Sequence, residues 1–226
     1  MSEPSPSDDG SGIAQQAKPK RWASCSSLCS LVFIGFFILC CVGVFLGPVT
    51  PNLKKALQSQ KMQTSHAIAL VMFQYANDHN GNYPDGKSST EVFQKLIDGG
   101  YITDPLIFYV QMTGKTKPTS LRLKPENVCW DVTSTPDGST SDELPLVFLT
   151  GYKVNYVPGG AAVPLMKPEY QGIAVCYKSN NASFVVAPSS TAVNPDGSIP
   201  NFVPADFNPQ GKTYRQLTPD GVLPDK

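Results

Sequence analysis

The hydrophobic pattern changes character three times along the chain. Residues Ala23 to Gly47 carry no charge and are dense in Leu, Val, Ile, Phe and Cys. A helix over them would be roughly 37 Å long, enough to cross a ~30 Å hydrocarbon core. The pattern therefore predicts a transmembrane helix over 23–47. After the break Gly47-Pro48-Val49-Thr50-Pro51 the period becomes helical but mixed. Leu53, Ala56, Leu57, Gln60, Thr64, Ala67, Ile68, Val71 and Tyr75 recur at three- and four-residue steps. Lys54, Lys55, Gln58, Ser59, Lys61 and Gln63 fall opposite. This predicts an amphipathic helix over 52–80. Ala67 to Phe73 is apolar throughout, so its last turns are expected to be covered on all sides. Asp78, Asn80, Gly81, Tyr83 and Pro84 form the expected helix-to-domain turn, with Gly81 suited to a left-handed cap.

A second, short helix is expected over 88–98. Ser88 or Ser89 caps it, Val92, Phe93, Leu96 and Ile97 form its apolar face, and Gly99-Gly100 ends it. Beyond it the signal is β. Strands are expected over 106–111, 127–133, 146–157, 172–178 and 183–187, with a hairpin turn at 179–182. Pro-Asp-Gly occurs four times, beginning at Pro84, Pro136, Pro195 and Pro219, and reads as four turns. The Pro-, Asn- and Gly-rich stretch 188–226 reads as an extension lying on the domain or free of it.

Composition narrows the picture. Residues 1–22 begin with Ser, Pro, Gly, Asp and Gln in excess, too polar to offset ordering entropy, and read as a disordered tail. Lys20, Arg21 and Trp22 then stand where a membrane interface would fall. The apolar run is too long for a usual signal-peptide core, and no small-residue cleavage site closes it. Leu28 and Leu39 precede Cys29 and Cys40, where a lipobox needs a small residue. Lysines flank both ends of the run, so charge alone does not orient it; a short tail and a large domain fit the N-terminus inside. Lys+Arg and Asp+Glu are both 18, which argues against a nucleic-acid partner.

Candidate chemistry is sparse. Cys129 and Cys176 could form a disulfide in an extracytoplasmic domain, or remain two buried thiols. Asp78 to Asp85 starts like a calcium loop, but Gly falls fourth rather than sixth, and Ser89 stands where Glu is needed. His66 and His79, the only histidines, lie thirteen residues apart with no nucleophile motif beside them. Gly159-Gly160 has no following helix pattern and is no phosphate loop. Tyr152, Tyr156, Tyr170 and Tyr177 could form a binding surface or pack in the core. No catalytic residue, metal site or cofactor is expected.

The run Pro51-Asn52-Leu53-Lys54-Lys55-Ala56, then Ala67 to Asp85 with its Asn80-Gly81-Asn82-Tyr83-Pro84 turn, resembles type IV pilin-like proteins. It is most similar to the type II secretion pseudopilins of Verrucomicrobia-type bacteria. The segments 146–159 and 172–177 resemble the globular part of such proteins. The resemblance implies an α+β fold: a long N-terminal membrane-spanning helix continues into an amphipathic helix packed on a small antiparallel β-sheet. It implies a domain over 52–187, periplasmic in a bacterial inner-membrane, single-pass protein whose tail, 1–22, is cytoplasmic. It further implies a non-enzymatic role in a type II secretion or type IV pilus-like assembly, with the lipid bilayer and other pilin-like subunits or secretion-system components as partners. One departure stands out. Prepilins carry Gly before the apolar run and Glu five residues in. Here Gly35-Phe36 lies inside the run, the fifth position is Cys40, and no acid occurs from 23 to 47. The usual cleavage motif is missing, so an uncut N-terminus is expected. The alternative reading is a membrane-anchored periplasmic module that binds peptide or glycan.

Overall fold

The computed structural model describes residues 35–37, 49–134, 141–167, 170, 172–186 and 196–223. The chain divides into two compact units, Met1–Pro51 and Asn52–Lys226. Of the first, the single helical turn 35–37 and the first residues of the next helix are described. The expected tail and interface residues Lys20, Arg21 and Trp22 lie outside the described residues.

The expected fold class needs correction. It made a membrane-spanning helix the leading element, yet among the described residues no helix is long and apolar enough to cross a membrane. The long helix is α1, Val49–Asp78. Its 30 residues would span about 45 Å, so length is not what fails. Lys54, Lys55 and Lys61, with intervening Gln and Ser, make it too polar. The fold described is a small mixed domain of helices and antiparallel sheet.

α1 buries one narrow stripe: Lys61, Ser65, Ile68, Ala69, Met72 and Ala76. This stripe is rotated from the expected face, of which only Ile68 is buried; Thr64, Ala67, Val71 and Tyr75 are half-covered. Nor is the apolar run 67–73 enclosed, since Leu70 is 42% and Phe73 53% exposed. Three of the six, Ser65, Ala69 and Ala76, are small, so the buried stripe is not the one with the most apolar bulk.

The short helix α2, Ser89–Asp98, matches expectation. Ser88 caps it by accepting the Glu91 N–H at 3.2 Å. Its face of Val92, Phe93, Leu96 and Ile97 is buried, and Phe93 stacks on Phe108 with centroids 4.4 Å apart. Residues 106–111 are not a strand. Pro105–Phe108 is a 3₁₀ turn whose Leu106 N–H is held by the Asp104 carboxylate at 2.9 Å, with Pro105 at the position where a missing donor costs nothing.

Among the described residues seven strands follow: β1 (Trp130–Ser134), β2 (Pro145–Leu149), β3 (Tyr152–Val154), β4 (Ala162–Pro164), β5 (Gly172–Tyr177), β6 (Ala182–Val186) and β7 (Arg215–Leu217). Five form one sheet in the order β6-β5-β2-β1-β7, and β3 pairs with β4 in a separate hairpin; all pairs are antiparallel. The expected strand 146–157 is cut by Gly151 at φ 103°, which breaks the ladder and sends β3 into the second sheet. β1, β2 and β5 are buried at every position, so the main sheet is covered on both faces. α2 lies against β1 on one side. On the other, Phe148 meets Phe202 edge-on at 5.7 Å.

Residues 196–223 are part of the core rather than an appendage. Ile199, Phe202, Val203, Phe207, Tyr214 and Leu217 are all buried. They are drawn in by Gly160, where a Cβ would stand 1.9 Å from the Asn155 carbonyl. Only glycine fits there, and its carbonyl accepts the Val203 N–H at 2.9 Å. Of the Pro-Asp-Gly turns, the one at Pro219 is closed by reciprocal bonds between Thr218 and Gly221 at 2.7 and 3.3 Å. The stretch Pro84-Asp85-Gly86 forms no turn. Pro136 and Pro195 lie outside the described residues.

Candidate functional site

The joint after α1 gathers the five turn residues expected there. Asn80 and Gly81 take positive φ, 57° and 83°, and the Gly81 N–H returns to the Ala76 carbonyl at 2.8 Å. Asp78 accepts from the Tyr101 hydroxyl at 2.9 Å. His79 stacks on Tyr75 at 3.8 Å and shares a 2.7 Å contact with its carbonyl oxygen. Tyr83 is buried, and burial raises its phenol pKa. Beyond Pro84, Asp85 accepts from Ser134 Oγ at 2.9 Å and from Arg215 Nη2 at 3.3 Å.

These partners define what the joint can do. Asp78 and Asp85 are each held by donors from different elements, so their oxygens do not converge as a calcium loop requires. Among the described residues no three His, Cys, Asp or Glu side chains group to hold a metal. His79 is tied to Tyr75, while His66 borders a shallow depression with Met62, Gln63, Asn180 and Ala182. The joint fastens the helix to the sheet.

Of the two readings the sequence left open for Cys129 and Cys176, the structure has two buried thiols not joined in a disulfide. β2 separates their strands: Val147 pairs with Cys176 on one side and Val132 on the other. Two inter-strand spacings come to about 9.6 Å, beyond the roughly 7 Å Cα limit for a disulfide. Cys129 Sγ instead sits 3.2 Å from both the N–H and the carbonyl of Val110. Burial pushes the Cys176 thiol up to about 12, leaving it inert.

The sheet face away from α2 holds a polar cluster that the sequence did not flag. Asp131 on β1 is fully buried. Its Oδ2 accepts from Gln216 Nε2 at 2.7 Å, while its Oδ1 meets no hydrogen-bond partner among the described residues. Burial raises the Asp131 carboxyl to about 7; Thr150, Gln216 and the Lys115 charge pull the other way. Gln216 also donates to the Tyr152 carbonyl at 2.6 Å and accepts the Val154 N–H at 2.9 Å. One amide thus bridges β1, β3 and β7. A short Asp in an apolar strand, Trp130-Asp131-Val132, was the one available signal for it.

Two clefts bear on the tyrosines considered for binding. The first, about 400 Å³, lies between α1 and residues 109–111. Lys61 Nζ sits 3.5 Å from the Tyr170 ring centroid, and the Tyr170 hydroxyl donates to the Gln111 carbonyl. This explains a lysine on a buried stripe: its stem packs and its head rests on a ring. The second, about 620 Å³, runs between the β3–β4 hairpin and residues 212–214. Of the four tyrosines considered for binding, Tyr152 and Tyr177 are buried, the latter donating to the Phe202 carbonyl at 2.9 Å. Tyr156 and Tyr170 line the clefts. No protein-family model, curated protein or solved structure matches this chain.

Proposed function

We propose that the protein is a non-enzymatic, pilin-like component of a type II secretion or type IV pilus-like assembly, acting by packing rather than by turnover. The observation that carries this reading is the exposed start of α1. Residues 53–57, 59 and 60 are exposed, with Leu53 and Leu57 among them, and the buried stripe begins only at Lys61. A helix start that leaves apolar side chains exposed fits a spine that is completed by neighbouring subunits. The Asn80-Gly81 joint supports the same reading, because it holds the helix at a defined angle to the sheet.

The test is a photo-crosslinking amino acid at Leu57 of the full-length protein in its own cells. Adducts with pilin-like or secretion-system proteins are expected. No adduct beyond those from the same probe at Lys124, an exposed position away from the helix, would sink the reading.

A further inference from the structure

The two edges of the main sheet are finished differently. At one edge, β7 is three residues long and its outer side is closed. Leu217 bridges to Val222, and the Leu223 N–H donates to the Gln216 carbonyl at 2.9 Å. In the hairpin, the outer side of β4 is closed likewise, by Ala162 and Ile199 exchanging bonds at 2.9 and 2.8 Å. β6, at the opposite edge of the main sheet, is five residues long, Ala182-Ser183-Phe184-Val185-Val186. It carries no charge, no proline and no bulge, the devices that keep an edge from pairing.

The ladder fixes which of its backbone groups face out. One step beyond the Cys176–Ala182 pair, the Tyr177 N–H donates to the Asn181 carbonyl at 2.9 Å. Counting from that bonded pair, Ser183 and Val185 turn their N–H and C=O groups toward β5, and Ala182, Phe184 and Val186 turn theirs outward. Gly172 agrees, since a Cβ there would run into the Val185 carbonyl. Among the described residues no backbone group bonds the outer side of Ala182, Phe184 or Val186. Beside this edge lies the shallow depression, about 240 Å³, between Met62, Gln63 and His66 of α1 and Asn180 and Ala182.

We infer that β6 is a docking edge for an extended, uncharged segment of a partner protein, which adds a sixth strand to the sheet. A row of outward backbone groups is matched by another strand. A five-residue strand runs about 17 Å, and pairing along it covers far less than the roughly 800 Å² per partner of a stable interface between folded proteins. The edge therefore suits a segment rather than a second folded copy. Residues 179–186 bear no charge, and the neighbouring Lys178 is paired with Asp142 at 3.9 Å. A carboxylate or ammonium laid on the edge would lose water and gain no counter-charge. Val186 is 54% exposed. Apolar side chains at alternate positions of the segment cover it and fill the depression beside Ala182, which shares its face. The inference stands whether or not α1 packs in an assembly.

The test uses the full-length protein in nonionic detergent and the fluorescence anisotropy of a labelled six-residue peptide alternating Thr and Val. Its comparators are the same peptide N-methylated throughout, which keeps the side chains and removes the donors, and one with Glu for Thr. The Thr-Val peptide is expected to bind, and to slow amide exchange read by NMR at Phe184 and Val186 more than at Val185. Val186→Pro removes one outward donor where an edge strand tolerates proline. With an unchanged circular dichroism spectrum, its affinity should fall about fivefold or more; Val186→Ala, which keeps the donor, should lose less. If Val186→Pro misfolds, the exchange pattern of the unaltered protein decides. Several results would overturn the proposal: no binding, equal binding of the N-methylated or Glu peptide, or undiminished binding by well-folded Val186→Pro. So would protection at Phe184 that is present without peptide and grows with protein concentration, the mark of a second copy on the edge.

Discussion

The two faces of the central sheet are built on different physics. Toward α2 the packing is mainly apolar: Phe93 stacks on Phe108, and Val92 and Leu96 are fully buried. Toward the hairpin and the C-terminal segment, polar side chains are sunk among the aromatic ones: Asp131, Thr133 and Gln216 share the space with Phe148 and Phe202. The helical side gains from area and shape, which tolerate exchange between apolar residues of like volume. The other gains little net energy from its hydrogen bonds but loses heavily when one is broken. Those bonds tie a hairpin with no ladder to the main sheet onto β1 and β7, so the polar side sets position where the apolar side sets stability.

Three substitutions can break that contrast. The largest effect is expected on the apolar side. Phe93→Ala should cost about 3–5 kcal/mol in urea denaturation, at any pH, through the cavity it leaves against Phe108. On the polar side, Gln216→Ala strands the Asp131 carboxylate, the Val154 N–H and the Tyr152 carbonyl together. A loss of about 2–4 kcal/mol is expected, larger at alkaline than at acidic pH, with faster amide exchange at Val154. Insensitivity of that loss to pH would show that Asp131 is not the group being served.

The third and smallest effect changes sign. The Asp131 pKa is about 7 in the fold against about 3.9 in an unfolded chain. Between these values the native state holds a proton that the unfolded state has released. Asp131 therefore contributes stability that is complete below about pH 4 and is lost as pH rises through about 7. Asp131→Asn, which cannot ionise, should raise stability by on the order of 1–2 kcal/mol at pH 8 and remove that slope. A slope that survives in the Asn variant would place its origin elsewhere.

Local signals were legible where one element decides its own fate. Ser88, the face Val92-Phe93-Leu96-Ile97 and the Asn80-Gly81 stop were readable because capping and left-handed turns depend on neighbours in sequence. The orientation of α1 was not. Its buried stripe includes Lys61 and Ser65, which a hydrophobic period does not pick out; Lys61 finds its place against the Tyr170 ring. β4 and β7 are three residues each, too short for a period to show. β7 is a strand because β1 offers an edge, a partner far away in sequence. The second cleft was equally hidden, since its two walls come together only when the hairpin and the C-terminal segment are both in place. The membrane-spanning helix expected over 23–47 lies, but for residues 35–37, outside the described residues, and no helix among those described is long and apolar enough to cross a membrane.

β7 has one more consequence, for the order of events during synthesis. The sheet places its latest strand beside its earliest, Val132 against Leu217. Until Arg215–Leu217 has emerged from the ribosome, β1 keeps an open edge, and Asp131 lacks the amide that holds it. The nascent domain thus carries an unfinished seam for most of its translation, a state that favours slow closure and capture by a chaperone. Completion of the fold is in effect a checkpoint on having made the chain through residue 217.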